Sequence, residues 1–207
     1  RWLSVADITI VGLGIRNVGQ LTLEVVDVLR AARRVLALDT GQDIGAWLQQ
    51  NCQAVTSLYT YEESAGRLDA YREMAAQVVN AAVEGGPVVF AIQGHPTVFV
   101  YAPFLVRDAA GALGLTVQVL PGISSMDALF ADQMLDPGMH GLQSFEATDL
   151  LLRRRPLHAD VPLLLWQVGN VETRLHTRRR SKPERFFRLV AYLLQFDPDE
   201  HPVVIWF

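Results

Sequence analysis

A single cysteine, Cys52, stands in 207 residues, which excludes a framework of internal disulfides and suits a reducing compartment. No apolar run approaches the ~20 residues of a membrane span, and no signal-peptide pattern is present, so the expected location is the cytoplasm, away from membranes. Positive charge is scarce as well. Eighteen Lys and Arg face 22 Asp and Glu, giving a formal charge of −4 and a pI near 5.7. That balance argues against general binding to a phosphate backbone, and nucleic acid is not an expected partner. The arginines that do cluster, Arg153-Arg154-Arg155 and Arg178-Arg179-Arg180, read as solvated loops, with anion binding as the alternative. His95, His140, His158, His176 and His201 lack metal-ligand spacing, and no metal site is assigned. There is no internal repeat and no low-complexity segment.

Half of the chain is apolar, enough for one substantial core or one core and part of a second. The organising stretch joins two β-branched, apolar runs, residues 87–92 and 115–120, through a segment at 98–113 that suits a crossover helix ended by Gly111 and Gly114. Around this βαβ unit the pattern predicts strands at 7–11, 35–38, 54–58, 162–166 and 203–206. Helices are predicted at 21–34, capped by Thr22, and at 43–51, 125–132 and 183–195. A longer helix, 64–84, closes at Gly85-Gly86 and buries a stripe of Leu68, Tyr71, Ala75, Val78, Val79 and Ala82. Regular alternation of strand and helix makes the fold class α/β, a mainly parallel sheet flanked by helices. The chain starts at Arg1 without methionine and stops at Phe207 within a strand-like run, so both ends are expected to be incomplete.

Four loops at strand ends look suited to a ligand: Gly12-Leu13-Gly14, Gly94-His95-Pro96, Pro121 to Ser125, and Gln167-Val168-Gly169. They are expected on one edge of one sheet, where open α/β sheets bind ligands. Two ordinary βα turns explain the central pair equally well. The opening glycines tempt toward a dinucleotide fingerprint, with Asp39 after the second strand as the ribose contact. The third glycine belongs at position 17, however, where the chain has Asn17, and Gly19 comes two places late. Ser124, Ser125 and Gln167 can hydrogen-bond an amino-acid or nucleoside moiety. His95 reads either as a base or as a loop histidine that shapes the pocket. Arg67 and Tyr71, four apart, share one helix face at the margin of the buried stripe, and Tyr71 also reads as a plain core tyrosine.

These loops carry a resemblance. The run Ile10-Val11-Gly12-Leu13-Gly14-Ile15, the Gly94-His95-Pro96 loop and Leu120-Pro121-Gly122-Ile123-Ser124 resemble the tetrapyrrole (corrin/porphyrin) methyltransferase superfamily. Tyr59-Thr60-Tyr61, Arg67-Leu68-Asp69-Ala70-Tyr71, Thr97-Val98-Phe99-Val100, Leu129-Phe130-Ala131-Asp132, Phe145-Glu146-Ala147-Thr148-Asp149, Gln167-Val168-Gly169 and Glu200-His201-Pro202-Val203-Val204 look like the peptide-backbone α-N-methyltransferases of borosin biosynthesis.

The resemblance implies S-adenosylmethionine as cofactor, with S-adenosylhomocysteine as product, held by Gly14, Gln93, His95, Val98, Phe99, Ser124, Ser125 and Gln167. It implies Arg67, Tyr71, Tyr59 and Tyr61 around the reacting amide of a precursor peptide, expected as a separate chain, and a homodimeric enzyme. It also implies a methyltransferase domain over 1–200, with 201–207 as the first strand of a further domain. Gln93 departs from the family, which has tyrosine at that place. The competing readings are a corrin or porphyrin precursor C-methyltransferase and a non-catalytic peptide- or nucleotide-binding module on the same fold.

Overall fold

The computed structural model describes residues 6–38, 40–58, 66–171 and 183–206, the side chain of Arg67 excepted. The chain forms two compact units, Arg1–Ala128 and Leu129–Phe207.

The first unit runs β1 (Ile8–Gly12), α1 (Leu23–Ala31), β2 (Val35–Leu38), α2 (Gly41–Asn51), β3 (Val55–Ser57), α3 (Arg67–Gly85), β4 (Val88–Ile92), α4 (Ala102–Ala112) and β5 (Val117–Leu120). Its five strands pair in parallel in the order β3-β2-β4-β1-β5. Alternation along each strand supplies two cores. Ile8, Ile10, Leu36, Leu38, Val88, Phe90 and Ile92 join one core with α3 and α4, whereas Val11, Val35, Ala37, Val89 and Ala91 join the other with α1 and α2. β4 lies at the centre, and all five of its residues are buried. Burying each valine, isoleucine or phenylalanine contributes about 1.5–3 kcal/mol, more than any strand propensity, which is why the run Val-Val-Phe-Ala-Ile needs no polar alternation.

The ends of the elements follow local chemistry. Thr22 caps α1 by accepting from the Val25 N–H at 3.2 Å, as its sequence predicts, but the helix stops at Ala31. Ala32 is extended, which frees Val35 to enter β2. The crossover helix starts four residues later than its hydropathy suggests, because Phe99 adopts φ 55°, a left-handed conformation that no helix continues through. On α3 the stripe is built from Ala70, Met74, Ala75, Val78, Val79, Ala81 and Ala82, with Tyr71 half-buried against it. Leu68, expected in that stripe, is 45% exposed on the first turn. At the far end Gly86, at φ 82°, closes the helix.

Helix α5 (Ser125–Gln133) carries the chain into the second unit, which continues with α6 (Pro137–His140), β6 (Gln143–Glu146), α7 (Ala147–Arg153), β7 (Leu163–Trp166) and α8 (Phe187–Leu193). β6 and β7 pair in parallel as a separate sheet over a core of Ala147, Leu150, Leu157, Val171 and Leu189. The Gln-Ser-Phe-Glu strand has no hydropathy signal. Side chains tie it down: Gln143 donates to the His158 and Val161 carbonyls, and the Trp166 indole N–H donates to Ser144 Oγ at 2.7 Å. The region predicted as one helix at 183–195 is a 3-10 turn, Pro183–Phe186, followed by α8. Residues 203–206, predicted as a strand, join no ladder among the described residues, since a β-branched run becomes a strand only when a ladder partner takes its backbone groups.

Candidate functional site

The strand order creates a switch point between β1 and β4. β1 feeds α1 on one face of the sheet and β4 feeds α4 on the other, so the two loops part and leave a crevice at the carboxyl edge. Two backbone bonds form its floor: Leu13 N–H donates to the Ile92 carbonyl at 2.9 Å, and Gly94 N–H to the Gly14 carbonyl at 2.8 Å. The third loop, after β5, closes in from beside β1. A Cβ on Gly12 would lie 2.5 Å from the Gly94 carbonyl oxygen and 2.7 Å from the Gly122 backbone, so these strand ends meet main chain to main chain. Gly14, at φ 72°, is covered by the side chain of Gln20, whose Oε1 accepts from the Ile15 and Arg16 N–H groups at 2.7 and 2.8 Å.

In the Gly94 loop, His95 is occupied internally. Its Nδ1 accepts from the Thr97 N–H at 3.2 Å and its carbonyl accepts from Val98 N–H, which makes the histidine a loop-shaping residue. Gln93 and Phe99 are exposed and Val98 is half-buried. Phe99 takes its left-handed backbone without being glycine, a conformation that costs of order 1–3 kcal/mol and is concentrated at functional sites.

Ser124 is 4% exposed and forms a reciprocal cap with Asp127. Its hydroxyl and N–H both donate to Asp127 Oδ2, at 2.6 and 2.7 Å, and Asp127 N–H donates back to Ser124 Oγ at 3.1 Å. Burial raises the Asp127 carboxyl, but hydrogen bonds from the Ser124 hydroxyl and the Ser124 amide outweigh it, and its pKa sits below the ordinary carboxylate value. Asp127 was legible in the sequence as the fourth residue of a Ser-x-x-Asp cap, a helix-start signal that marks no ligand by itself. Ser125, half-buried, begins α5.

α3 leaves β3 and α4 leaves β4, so both helices begin at this same edge. Arg67 opens α3, and Tyr71 stands one turn on. The Tyr71 ring meets Tyr101 edge to face, with centroids 6.1 Å apart and planes at 66°. Tyr101, the N-cap of α4, was missed because its apolar neighbours made it look like helix interior. Tyr59, Tyr61 and Asp39 lie outside the described residues, as does the Arg67 side chain.

Gln167 does not share the edge of the five-stranded sheet. It follows β7, in the second unit's own sheet, because among the described residues β7 pairs with β6 alone. It too is non-glycine at positive φ, 54°, exposed, with its carbonyl accepting from Asn170 N–H at 2.8 Å. Nearby basic residues serve structure: Arg153 and Arg155 hold Asp149 at 2.6 and 2.7 Å, and these contacts, Arg155 foremost, lower its pKa. Residues 93–99 and 121–125, at the edge of the five-stranded sheet, carry no lysine or arginine. A lining of amide and hydroxyl donors with carbonyl acceptors suits a nucleoside or amino acid without phosphate groups.

The family profile of the Tetrapyrrole (Corrin/Porphyrin) Methylases matches residues 7–206. The chain belongs to this family. Among curated relatives, the chain is 34% identical over 198 residues to a methyltransferase/ribosomally synthesized cyclic peptide omphalotin A precursor of Omphalotus olearius, covering 95% of the chain and 48% of the relative. It is 35% identical over 167 residues to a methyltransferase/type I borosin cyclic peptide precursor of Serendipita vermifera subsp. bescii, covering 79% of the chain and 41% of the relative. The chain thus spans about half the length of the curated relatives it matches. Among solved structures it resembles the methyltransferase CobJ, with TM-score 0.59 and 18% identity over 91% of this chain and 75% of that one. Uroporphyrin-III C-methyl transferase from Thermus thermophilus complexed with S-adenosyl homocysteine gives TM-score 0.57 and 21% identity, over 79% of this chain and 70% of that one. At such identities the solved structures establish the methylase fold of this chain and nothing finer.

Proposed function

We propose that the protein transfers methyl groups from S-adenosylmethionine to backbone amide nitrogens of a ribosomally made precursor peptide. The observation that carries this reading is the identity of about a third, through 95% of the chain, to proteins named as both methyltransferase and peptide precursor. The solved uroporphyrin-III C-methyltransferases share the fold at 21–23% identity.

The cofactor fits the donor set. A nucleoside joined to an amino acid, with no phosphate, is what neutral loops at a switch point can hold, and we assign that task to Gly14, Gln93, His95, Val98, Phe99, Ser124 and Ser125, and to Gln167 from its own sheet. Within this set Gly14, His95 and Ser124 act by shaping the loops, since the Gly14 carbonyl accepts from Gly94 N–H, His95 Nδ1 accepts from Thr97 N–H and the Ser124 hydroxyl donates to Asp127. The left-handed backbones of Phe99 and Gln167 support a ligand-facing role for both. When bound, the cofactor supplies an electrophilic methyl on a sulfonium.

The protein must then make an amide nitrogen nucleophilic. Its lone pair is delocalised into the carbonyl, so the N–H proton has to leave while the negative charge that develops on the amide oxygen is held. Arg67 is assigned to that oxygen; a fixed donor of this kind is worth about 3 to 4 kcal/mol in oxyanion sites. Tyr71, one turn further on α3, accepts and passes on the amide proton, and Tyr59 and Tyr61 fix the substrate carbonyl.

We further infer a homodimer. Phe187, Val190 and Leu194, at helical spacing along α8 and its C-cap, are 66%, 50% and 50% exposed, an apolar stripe that suits burial against a second copy. Residues 1–200 are taken as the methyltransferase domain, with 201–207 beginning another. A lone cysteine whose thiol pKa is raised by burial accords with the reducing cytoplasm.

The test is incubation of the full-length protein with isotopically labelled S-adenosylmethionine and the peptides encoded beside it, read by tandem mass spectrometry. Backbone N-methyl groups on the added peptide support the reading, with the substrate a separate chain; methylation of the protein's own backbone alone marks a fused substrate. Label on a porphyrinoid carbon and on no peptide overturns the reading in favour of the C-methyltransferase.

A further inference from the structure

Tyr101 stands where the loop from β4 enters α4, 49% exposed at the helix N-cap, with no capping bond from its side chain. Tyr71 is half-buried against the core under α3 and α4. Their rings meet edge to face at 6.1 Å, across the two helices that begin at the ligand edge of the sheet. The core bounds the Tyr71 ring on one side and Tyr101 bounds it on another. We propose that Tyr101 is a positioning residue for methyl transfer, holding the Tyr71 ring in the orientation in which its phenol handles the amide proton. The inference rests on the function proposed above for Tyr71.

Edge-to-face attraction arises from the ring quadrupoles, so the ring of Tyr101 matters here and its hydroxyl does not. Such a pair biases a two-state ring orientation by about 2- to 12-fold. The cost of losing it should therefore fall on the chemical step at Tyr71, not on cofactor binding. Tyr101 offers the fold little else: its side chain is half-exposed and caps nothing.

The experiment compares Tyr101→Leu, Tyr101→Phe, Tyr71→Phe and the double variant Tyr71→Phe/Tyr101→Leu in the full-length protein, with Tyr101→Met in reserve if the leucine variant folds poorly. Single-turnover methylation of the precursor peptide, the Kd for S-adenosylhomocysteine and the 13C ring signal of Tyr71, assigned by its loss in Tyr71→Phe, are read for each. Tyr101→Leu is expected to slow single turnover about 5- to 10-fold with the Kd unchanged, and Tyr101→Phe to restore most of the rate. The Tyr71 signal should shift in the leucine variant and stay put in the phenylalanine one, and the double variant should be no slower than Tyr71→Phe alone. An unshifted Tyr71 signal in Tyr101→Leu, or multiplicative rates in the double variant, overturns the proposal. If the parent protein methylates no peptide, the proposed function fails, while the Tyr71 signal still decides whether Tyr101 orients that ring.

Discussion

Arg67 and Tyr71, four residues apart at the start of α3, concentrate the proposed chemistry on one helical turn at the ligand edge. If Arg67 stabilises charge that exists mainly in the transition state, Arg67→Ala should lower single-turnover methylation by at least ~100-fold and leave S-adenosylhomocysteine affinity nearly intact. Arg67→Lys should recover only a minor part, because a point charge lacks the planar fork of the guanidinium. Loss of cofactor affinity with normal turnover in the folded fraction would make Arg67 a structural residue. Asp127 invites a test of stability at the same scale. Its folded pKa is depressed, so its contribution is present above the unfolded carboxylate value of about 3.9 and is lost as pH falls through the lower folded value. Asp127→Ala should cost about 1 kcal/mol in urea unfolding at pH 7, with the gap from the parent narrowing as the pH is taken below about 4.

At the scale of elements, the crevice depends on three strand ends meeting without side chains between them. Gly12→Ala would drive a Cβ to 2.5 Å from the Gly94 carbonyl and 2.7 Å from Gly122, where every neighbour is backbone and none can swing aside. Equilibrium unfolding should show a loss of about 1–3 kcal/mol or more. Gly111→Ala is the control: it lies within α4 with nothing inside 4 Å of the added carbon, and should be neutral or stabilising by up to about 1 kcal/mol. Equal losses in the two variants would refute the packing argument. The Tyr71, Ala75, Val78, Val79 and Ala82 stripe of α3 and the buried runs of β1, β2 and β4 were readable from the sequence, whereas the exposure of Leu68 was not. The short strand β6 was not, because its Gln-Ser-Phe-Glu sequence is held by Gln143 and by the Trp166–Ser144 bond, contacts 15 to 22 residues away in the chain.

For the whole molecule, a cofactor that binds only the folded state must raise its stability. S-adenosylhomocysteine at a hundred times its Kd should add about 2.7 kcal/mol, visible as a higher Tm, whereas NAD at the same concentration should add nothing. A shift with NAD alone would revive the dinucleotide reading of the opening glycines. Light scattering at micromolar concentration should give twice the subunit mass, and a charged substitution at Val190, midway along the exposed face of α8, should reduce it. A monomeric parent protein would remove the dimer from the proposal.

Periodicity and punctuation along the chain determined the α/β class, the parallel βαβ unit, the Thr22 cap, the Gly86 helix end and the loops that border the crevice, because each depends on residues a few positions apart. Only the tertiary structure decided strand order, and with it the switch point between β1 and β4, since order is set by which buried faces meet over long separations. It also moved Gln167 to a second sheet, spent His95 and Ser124 on shaping their own loops, and brought Tyr101 against Tyr71, 30 positions away in the sequence. Hydropathy records whether a side chain is to be buried; it holds no record of which partner will bury it.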